Sequence, residues 1–347
     1  MSPMLLSLAV VIAVLCAGVM GYAIQRGATC TVAAVEELLT QRSAGRLIAM
    51  AEASLWVAGG LALAQTFQVL PAMPAGYPVN TWVFAGAALL GVGAWLNGAC
   101  VFGAIARLGS GDANYLATPV GFYLGCLTVG PVFAAPAATK LAAESPVLTA
   151  SGAAAVLFIV YAAWRLAPPL VRAAMAPHPD AAARSIVARV WTPHMATGVI
   201  GATFVVILLL VGAWAYTDVL AQLARGMSAR LALGTLCLLA LYLGALTGGW
   251  TAGKLRAVRP TVWGSAKCLF GGVVMAWGSL LIPGSNDGLI LVGMPLLWPY
   301  AWLAFGTMCV TIAAALWLRR RLVRCDPRAR GNSSHFNHGP DGSTPAS

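Results

Sequence analysis

Apolar residues fall into long runs separated by short polar stretches, and two of the runs are interrupted. Trp82 to Leu96 is too short to cross a bilayer upright, because spanning takes roughly 20 residues. It stops at Asn97-Gly98-Ala99 and restarts as Cys100 to Leu108, closed by Gly109 and Gly111. A broken apolar helix is tolerated in lipid only where its freed backbone groups are buried in protein or line a cavity. The second half-helix then aims its N-terminal N–H groups at an anion, as at transporter binding sites.

The interruption recurs 185 positions later, from Gly93 to Gly278. Cys100 and Gly103 in the first copy correspond to Ser285 and Gly288 in the second, which follows the apolar run Leu269 to Ile282. Interrupted segments at matching places in two halves point to a transport site. The competing reading is two ordinary glycine-rich packed helices, since the chain has 38 glycines.

The other runs are continuous. Met4 to Ala23 is a first span; a cleaved signal peptide is the competing reading, but it lacks a basic start. A short amphipathic stretch, Thr31 to Leu39, follows. Further spans are expected at Leu47–Phe67, Leu116–Ala134, Val147–Leu166, Ala196–Tyr216, Leu231–Gly248 and Pro299–Leu318. With the two broken segments they predict about nine crossings, an all-α integral membrane protein with short re-entrant half-helices in two pseudo-symmetric, inverted halves. The expected units are residues 1–170, a cytoplasmic linker 171–195, a second half 196–318, and a basic, disordered tail 319–347.

Composition agrees. Hydrophobic residues make up 60% and charged ones 9%, against about 25% charged in soluble domains. The net charge of +11 therefore reports loop placement rather than affinity for nucleic acid. With the N-terminus outside, the inward loops hold 18 of the 21 Lys and Arg residues, leaving only Lys140, Arg225 and Arg230 outside. Eight cysteines without Cys-x-x-Cys spacing argue against a disulfide framework or a zinc site, and no metal is expected.

The chemistry lies at the breaks. Cys30 and Cys100 each open a short helix, where a thiol sits in positive potential and offers a weak, soft donor. Ser285 opens the third, with Asn286 beside it as a second donor; Asn97 and Gly98 form the first break. Asp287 is expected to face helix N-terminal N–H groups. Arg26 either holds an anion or anchors the membrane face. Glu52, inside a span, is a functional candidate or an ion-pair partner of Arg46, a turn or two away. Lys267 is expected to snorkel at a span start, and Trp82, Trp298 and Tyr300 to form interfacial belts. The four histidines fall outside the expected spans, which disfavours haem; no cofactor is expected.

Gly21-x-x-x-Gln25-Arg26-Gly27-x-x-Cys30 resembles the first motif of the YeeE/YedE sulfur-transport family. So does Asn97-Gly98-Ala99-Cys100-Val101-Phe102-Gly103 with Arg107-Leu108-Gly109-Ser110-Gly111, and the segment Gly271-Gly272 through Gly288 is similar to its Gly-Gly signature. The resemblance covers roughly residues 5 to 318. It implies uptake of thiosulfate across the bacterial inner membrane, N-terminus periplasmic and C-terminus cytoplasmic. The anion would pass between thiols, with Cys30 and Cys100 matching family cysteines and Ser285 standing where a third is usual. A small cytoplasmic sulfur carrier would be a separate partner. A transported selenium or other sulfur species, or a membrane thiol redox or sulfur-transfer protein, remain the alternatives to a thiosulfate transporter; an enzyme is not expected.

Overall fold

The computed structural model describes residues 3–71, 73–133, 140–141, 144–174, 191–226, 231–282 and 286–325. Ser285, the side chain of Asn286, most of the linker (175–190) and most of the tail (326–347) lie outside it. The described chain is helical, and eight helices are long and apolar enough to cross a membrane. The protein is a multi-pass, all-α membrane protein.

α1 (Pro3–Gly27) leads into the short α2 (Thr31–Gln41) and then α3 (Gly45–Thr66). α4 (Thr81–Asn97) is broken from α5 (Val101–Gly109), and a 3-10 turn, Ala113–Leu116, leads to α6 (Ala117–Phe133). A single turn, α7 (Pro146–Thr149), precedes α8 (Ser151–Ala174). The second half runs α9 (Pro193–Val211), α10 (Tyr216–Ala224), α11 (Leu231–Thr251), α12 (Val262–Leu281), α13 (Asn286–Gly288), and α14 (Pro299–Cys325). A π-helical stretch, Leu289–Gly293, extends α13. The ninth expected crossing corresponds to α8, whose apolar part, Ser151–Ala167, is shorter than the other eight.

Helix starts follow side-chain chemistry. Asn80 accepts from the Val83 N–H, Thr192 from Met195, and Thr261 from Gly264, each meeting a donor that a helix start leaves orphaned. The Thr261 cap starts α12 at Val262, earlier than the apolar run suggested. Lys267 is therefore inside the helix, its amine 5.2 Å over the Trp263 ring.

Helix contacts recur in pairs across the chain. α1 packs on α11 while α9 packs on α3; α6 packs on α12 while α14 packs on α4; α5 meets α11 while the π-helical stretch meets α3. α4 and α12 cross on glycines. A Cβ at Gly86 would stand 2.8 Å from the Gly278 carbonyl oxygen, and one at Gly93 would stand 2.9 Å from the Gly271 oxygen. Gly86 and Gly271, like Gly93 and Gly278, are 185 positions apart. The same spacing separates the starts of α2 and α10 (Thr31, Tyr216), the starts of α5 and α13 (Val101, Asn286) and the ends of α3 and α11 (Thr66, Thr251). α10 was not expected from the sequence; its signal was this same spacing, since it stands where α2 stands in the first half.

Loops assigned to one side by their charges do meet. After α5 and α11, Arg256 N donates to Ser110 O (2.9 Å) and Val258 N to Gly111 O (2.9 Å). Glu52 corrects two expectations. Arg46 pairs with Glu37 at 2.7 Å, not with Glu52. Glu52 instead accepts from Tyr161 Oη (2.7 Å) and Arg165 Nε (2.9 Å) on α8 and contacts His194 Nδ1. The helical rise carries Glu52 past Arg46 toward α8 and α9, while the turn at Arg42 (φ 54°) folds α2 back so that Glu37 reaches Arg46. His194 lies in the first turn of α9, a span helix, rather than outside the spans. Trp298 and Tyr300 are buried rather than forming a belt. Leu297 (φ 56°) turns the chain inward there, Gly76 backs onto the Trp298 ring, and Tyr77 meets Tyr300 edge to face at 5.5 Å.

Candidate functional site

Both first-half thiols open short helices, and the fold brings them together. Cys30 is the N-cap residue of α2 and Cys100 that of α5, both in extended backbone geometry. Neither is accessible: Cys100 is 1% exposed and Cys30 9%. The Thr31 N–H, first in α2, donates to Cys100 Sγ at 3.2 Å. The Cys30 and Cys100 side chains are close enough to interact electrostatically. Gly103 makes the room, because a Cβ there would stand 2.4 Å from Cys30 Sγ. Two helix N-termini and two soft donors thus converge on one buried spot, where the partial positive charge of the helix ends favours an anion.

The break that positions Cys100 is braced from within. Gly98 takes a left-handed conformation (φ 74°) that favours glycine and ends α4. Asn97 is buried; its Nδ2 donates to Ala99 O at 2.7 Å and its Oδ1 accepts from Thr118 Oγ1 at 2.9 Å. The amide therefore satisfies backbone freed by the break and ties it to α6.

Arg26 is also buried, 2% exposed, four residues before Cys30. Its Nη2 donates to Tyr22 Oη (2.8 Å) and to Thr251 Oγ1 (2.7 Å), and its guanidinium lies 5.0 Å from the Tyr22 ring centre. It joins α1 to the end of α11.

The second half carries different chemistry at the matching place. α10 begins beside Asp287, whose Oδ1 accepts from Thr217 Oγ1 at 2.6 Å and whose Oδ2 accepts from Thr217 N at 3.4 Å. Gly288 N also donates to Asp287 Oδ1 at 3.2 Å. The expected N-terminal contact is present, and it reaches chiefly to α10. Where α2 offers its first N–H to a thiol, α10 offers one to a carboxylate. Ala215, in the N-cap position of α10, brings no thiol. Among the described residues no cluster of His, Cys, Asp and Glu has the arrangement of a metal site.

A search of curated proteins finds no match. A family described as sulphur transport matches residues 26–314, a stretch that takes in both thiols, both interrupted helices and Asp287. By the extent of that match, this membrane chain belongs to the sulphur transport family.

Proposed function

We propose that the protein takes up thiosulfate, or a closely related sulfur anion, along a pathway that runs past Cys100 and Cys30. The observation that carries this reading is the meeting of the two thiols at the N-termini of α2 and α5. A thiol beside a helix N-terminus can donate to a sulfur or oxygen of the anion without holding it as a full cation would. Weak, successive contacts suit conduction, which needs binding favourable enough to enter and loose enough to leave. The anion passes from the Cys100 S–H to the Cys30 S–H, while helix N–H groups offset its charge. Asn97 and Gly98 hold the first break open for it, and Arg26 keeps positive charge near Cys30.

The two halves form an inverted repeat in this reading. It is supported by the exchanged helix packing and the constant 185-position spacing of matching helix starts. Ser285 and Asn286 then meet the anion on the opposite side from Cys30, before it reaches Cys100. The N-terminus faces the periplasm of a bacterial inner membrane, the basic loops face the cytoplasm, and a separate small sulfur carrier receives the sulfur there.

A cysteine auxotroph growing on thiosulfate as sole sulfur source, with and without this protein, tests the reading. Growth only with the protein is expected, and its loss in Cys100→Ala. Thiosulfate-independent growth differences, or equal growth without the protein, would remove it. Growth on selenium or other sulfur anions but not thiosulfate would reassign the substrate. A membrane thiol redox protein would instead show reversible oxidation of Cys30 and Cys100 without uptake.

A further inference from the structure

Beside Cys30 lies a small crevice whose lining includes Gly27, Thr29, Cys30, Arg46, Met50 and Thr197 but not Cys100. Three features set it apart from ordinary packing. Thr29 lines it; the residue is 8% exposed, and its hydroxyl has no hydrogen-bond partner among the described residues. A buried hydroxyl without a partner costs about 1–3 kcal/mol, so such groups call for an explanation. Thr29 is held there by a strained turn, since Ala28 adopts φ 46° where a residue with a Cβ is disfavoured. At the crevice wall, Arg46 is the only charged lining residue among those described, and Glu37 grips it at 2.7 Å with the Arg46 side chain 38% exposed.

The space itself says what state this is. The crevice holds about 10 Å³, near the minimum of about 10–15 Å³ for one water. No multi-atom anion fits until its walls move apart: the turn from α1 into α2, the first two turns of α3 and the start of α9. Glu37 lies on α2, which that turn carries, and Arg46 on α3, so their ion pair clamps the corner where two of these walls meet.

Resting on the transport reading above, we propose that this crevice is a release subsite for the sulfur anion. The Thr29 hydroxyl takes the anion over from the Cys30 thiol, Arg46 draws it toward the cytoplasmic mouth, and the Glu37–Arg46 pair holds that mouth shut. An arriving anion competes with Glu37 for the guanidinium. Binding therefore loosens the clamp, and departure of the anion lets it re-form. A weak neutral donor followed by a partly exposed cation gives a graded path to the cytoplasmic side. The positive charge is partly in solvent, where salt screens its hold on an anion.

Two measurements test this. Purified protein in membrane vesicles is treated with an anionic or a cationic methanethiosulfonate reagent, and modification of Cys30 is read by peptide mass spectrometry. From the face bearing Arg46, the anionic reagent is expected to react faster. Arg46→Gln should lower the anionic-to-cationic rate ratio about 10-fold, as loss of a local positive field does. Arg46→Lys should retain most of the ratio, and Glu37→Gln should raise both rates by unclamping the corner. In proteoliposomes, Thr29→Val keeps the shape but loses the hydroxyl. It should lower the maximal thiosulfate flux about 5-fold and KM with it, leaving their ratio within about 2-fold, the pattern of a slowed release step. An unchanged ratio in Arg46→Gln, labelling of Cys30 only from the opposite face, or full flux in Thr29→Val would overturn the subsite. Normal wild-type thiosulfate flux with any of those results removes the subsite alone. A wild-type protein that carries no sulfur anion removes the transport reading, and the subsite with it.

Discussion

The first N–H of α2, on Thr31, points at the sulfur of Cys100, the residue that opens α5, at 3.2 Å. Residues 69 positions apart thus join two helix N-termini, neither of which spans the membrane alone. The thiol is an acceptor in this contact, which leaves its S–H free to turn toward Cys30 or an anion.

Replacement of Cys100 by Ala should leave the protein folded in the membrane and remove uptake. The small side chain keeps the helix, and the main structural loss is one N–H···S contact, about 1 kcal/mol. Uptake of radiolabelled thiosulfate should fall by at least about 10-fold, the effect of one lost anion contact of 1.4 kcal/mol. Normal uptake per folded molecule would make Cys100 a packing residue.

Gly103→Ala probes the same spot without touching a thiol. The added methyl would stand 2.4 Å from Cys30 Sγ and 2.9 Å from its Cβ, so Cys30 must move. Overpacking of this kind costs about 1–3 kcal/mol. The variant should lower both thermal stability and uptake, and Gly103→Ala with wild-type uptake would place the pathway away from Cys30.

Glu52 ties α3 to α8 and α9 through Tyr161, Arg165 and His194. The side chain of Glu52 is 10% exposed, but those of Arg165 and His194 are 37% and 34%, so water offsets part of the loss. Glu52→Gln should therefore lower stability by about 1–2 kcal/mol, read as a lower unfolding temperature in detergent. Uptake per folded molecule should be unchanged. A stable variant that no longer transports would make Glu52 part of the transport machinery.

Thr217→Val strips the buried Asp287 carboxylate of its 2.6 Å hydroxyl donor. A buried carboxylate left short of a donor costs about 1–3 kcal/mol, while Thr217→Ser, which keeps the hydroxyl, should be close to wild type. Equal unfolding temperatures for Val and Ser would show that the contact carries no net stability.

Ser285 stands at the place in the second interrupted segment that Cys100 occupies in the first. Ser285→Cys should keep or raise thiosulfate uptake, because a thiol is the softer donor, and Ser285→Val should lower it about 10-fold for a lost hydrogen bond to an anion. Equal transport by Val and Ser would make the second copy of the motif structural.

The sequence by itself determined the class and most of the helices. Lipid accepts only helices whose backbone is satisfied internally, so apolar run length reveals the spans, and Asn97-Gly98-Ala99 reveals the break between α4 and α5. The loop charges sorted the loops into two sets, and the 110–111 and 256–258 hydrogen bonds join two loops of the same set. What the sequence could not decide were contacts made across long separations. α10, nine residues long, carries too weak an apolar signal to be seen alone. Glu52 chose Arg165 and His194 over nearby Arg46, because helix direction and the fold-back of α2 set partners, not spacing along the chain. Trp298 and Tyr300 sit at a span start, as belt residues do, yet the loop around Gly76 and Tyr77 covers them. The contact of Cys30 with Cys100 depends on two helix ends meeting, and on the bare backbone of Gly103 between them. Local pattern reports what a residue needs from its surroundings; only the packed helices decide which neighbour supplies it.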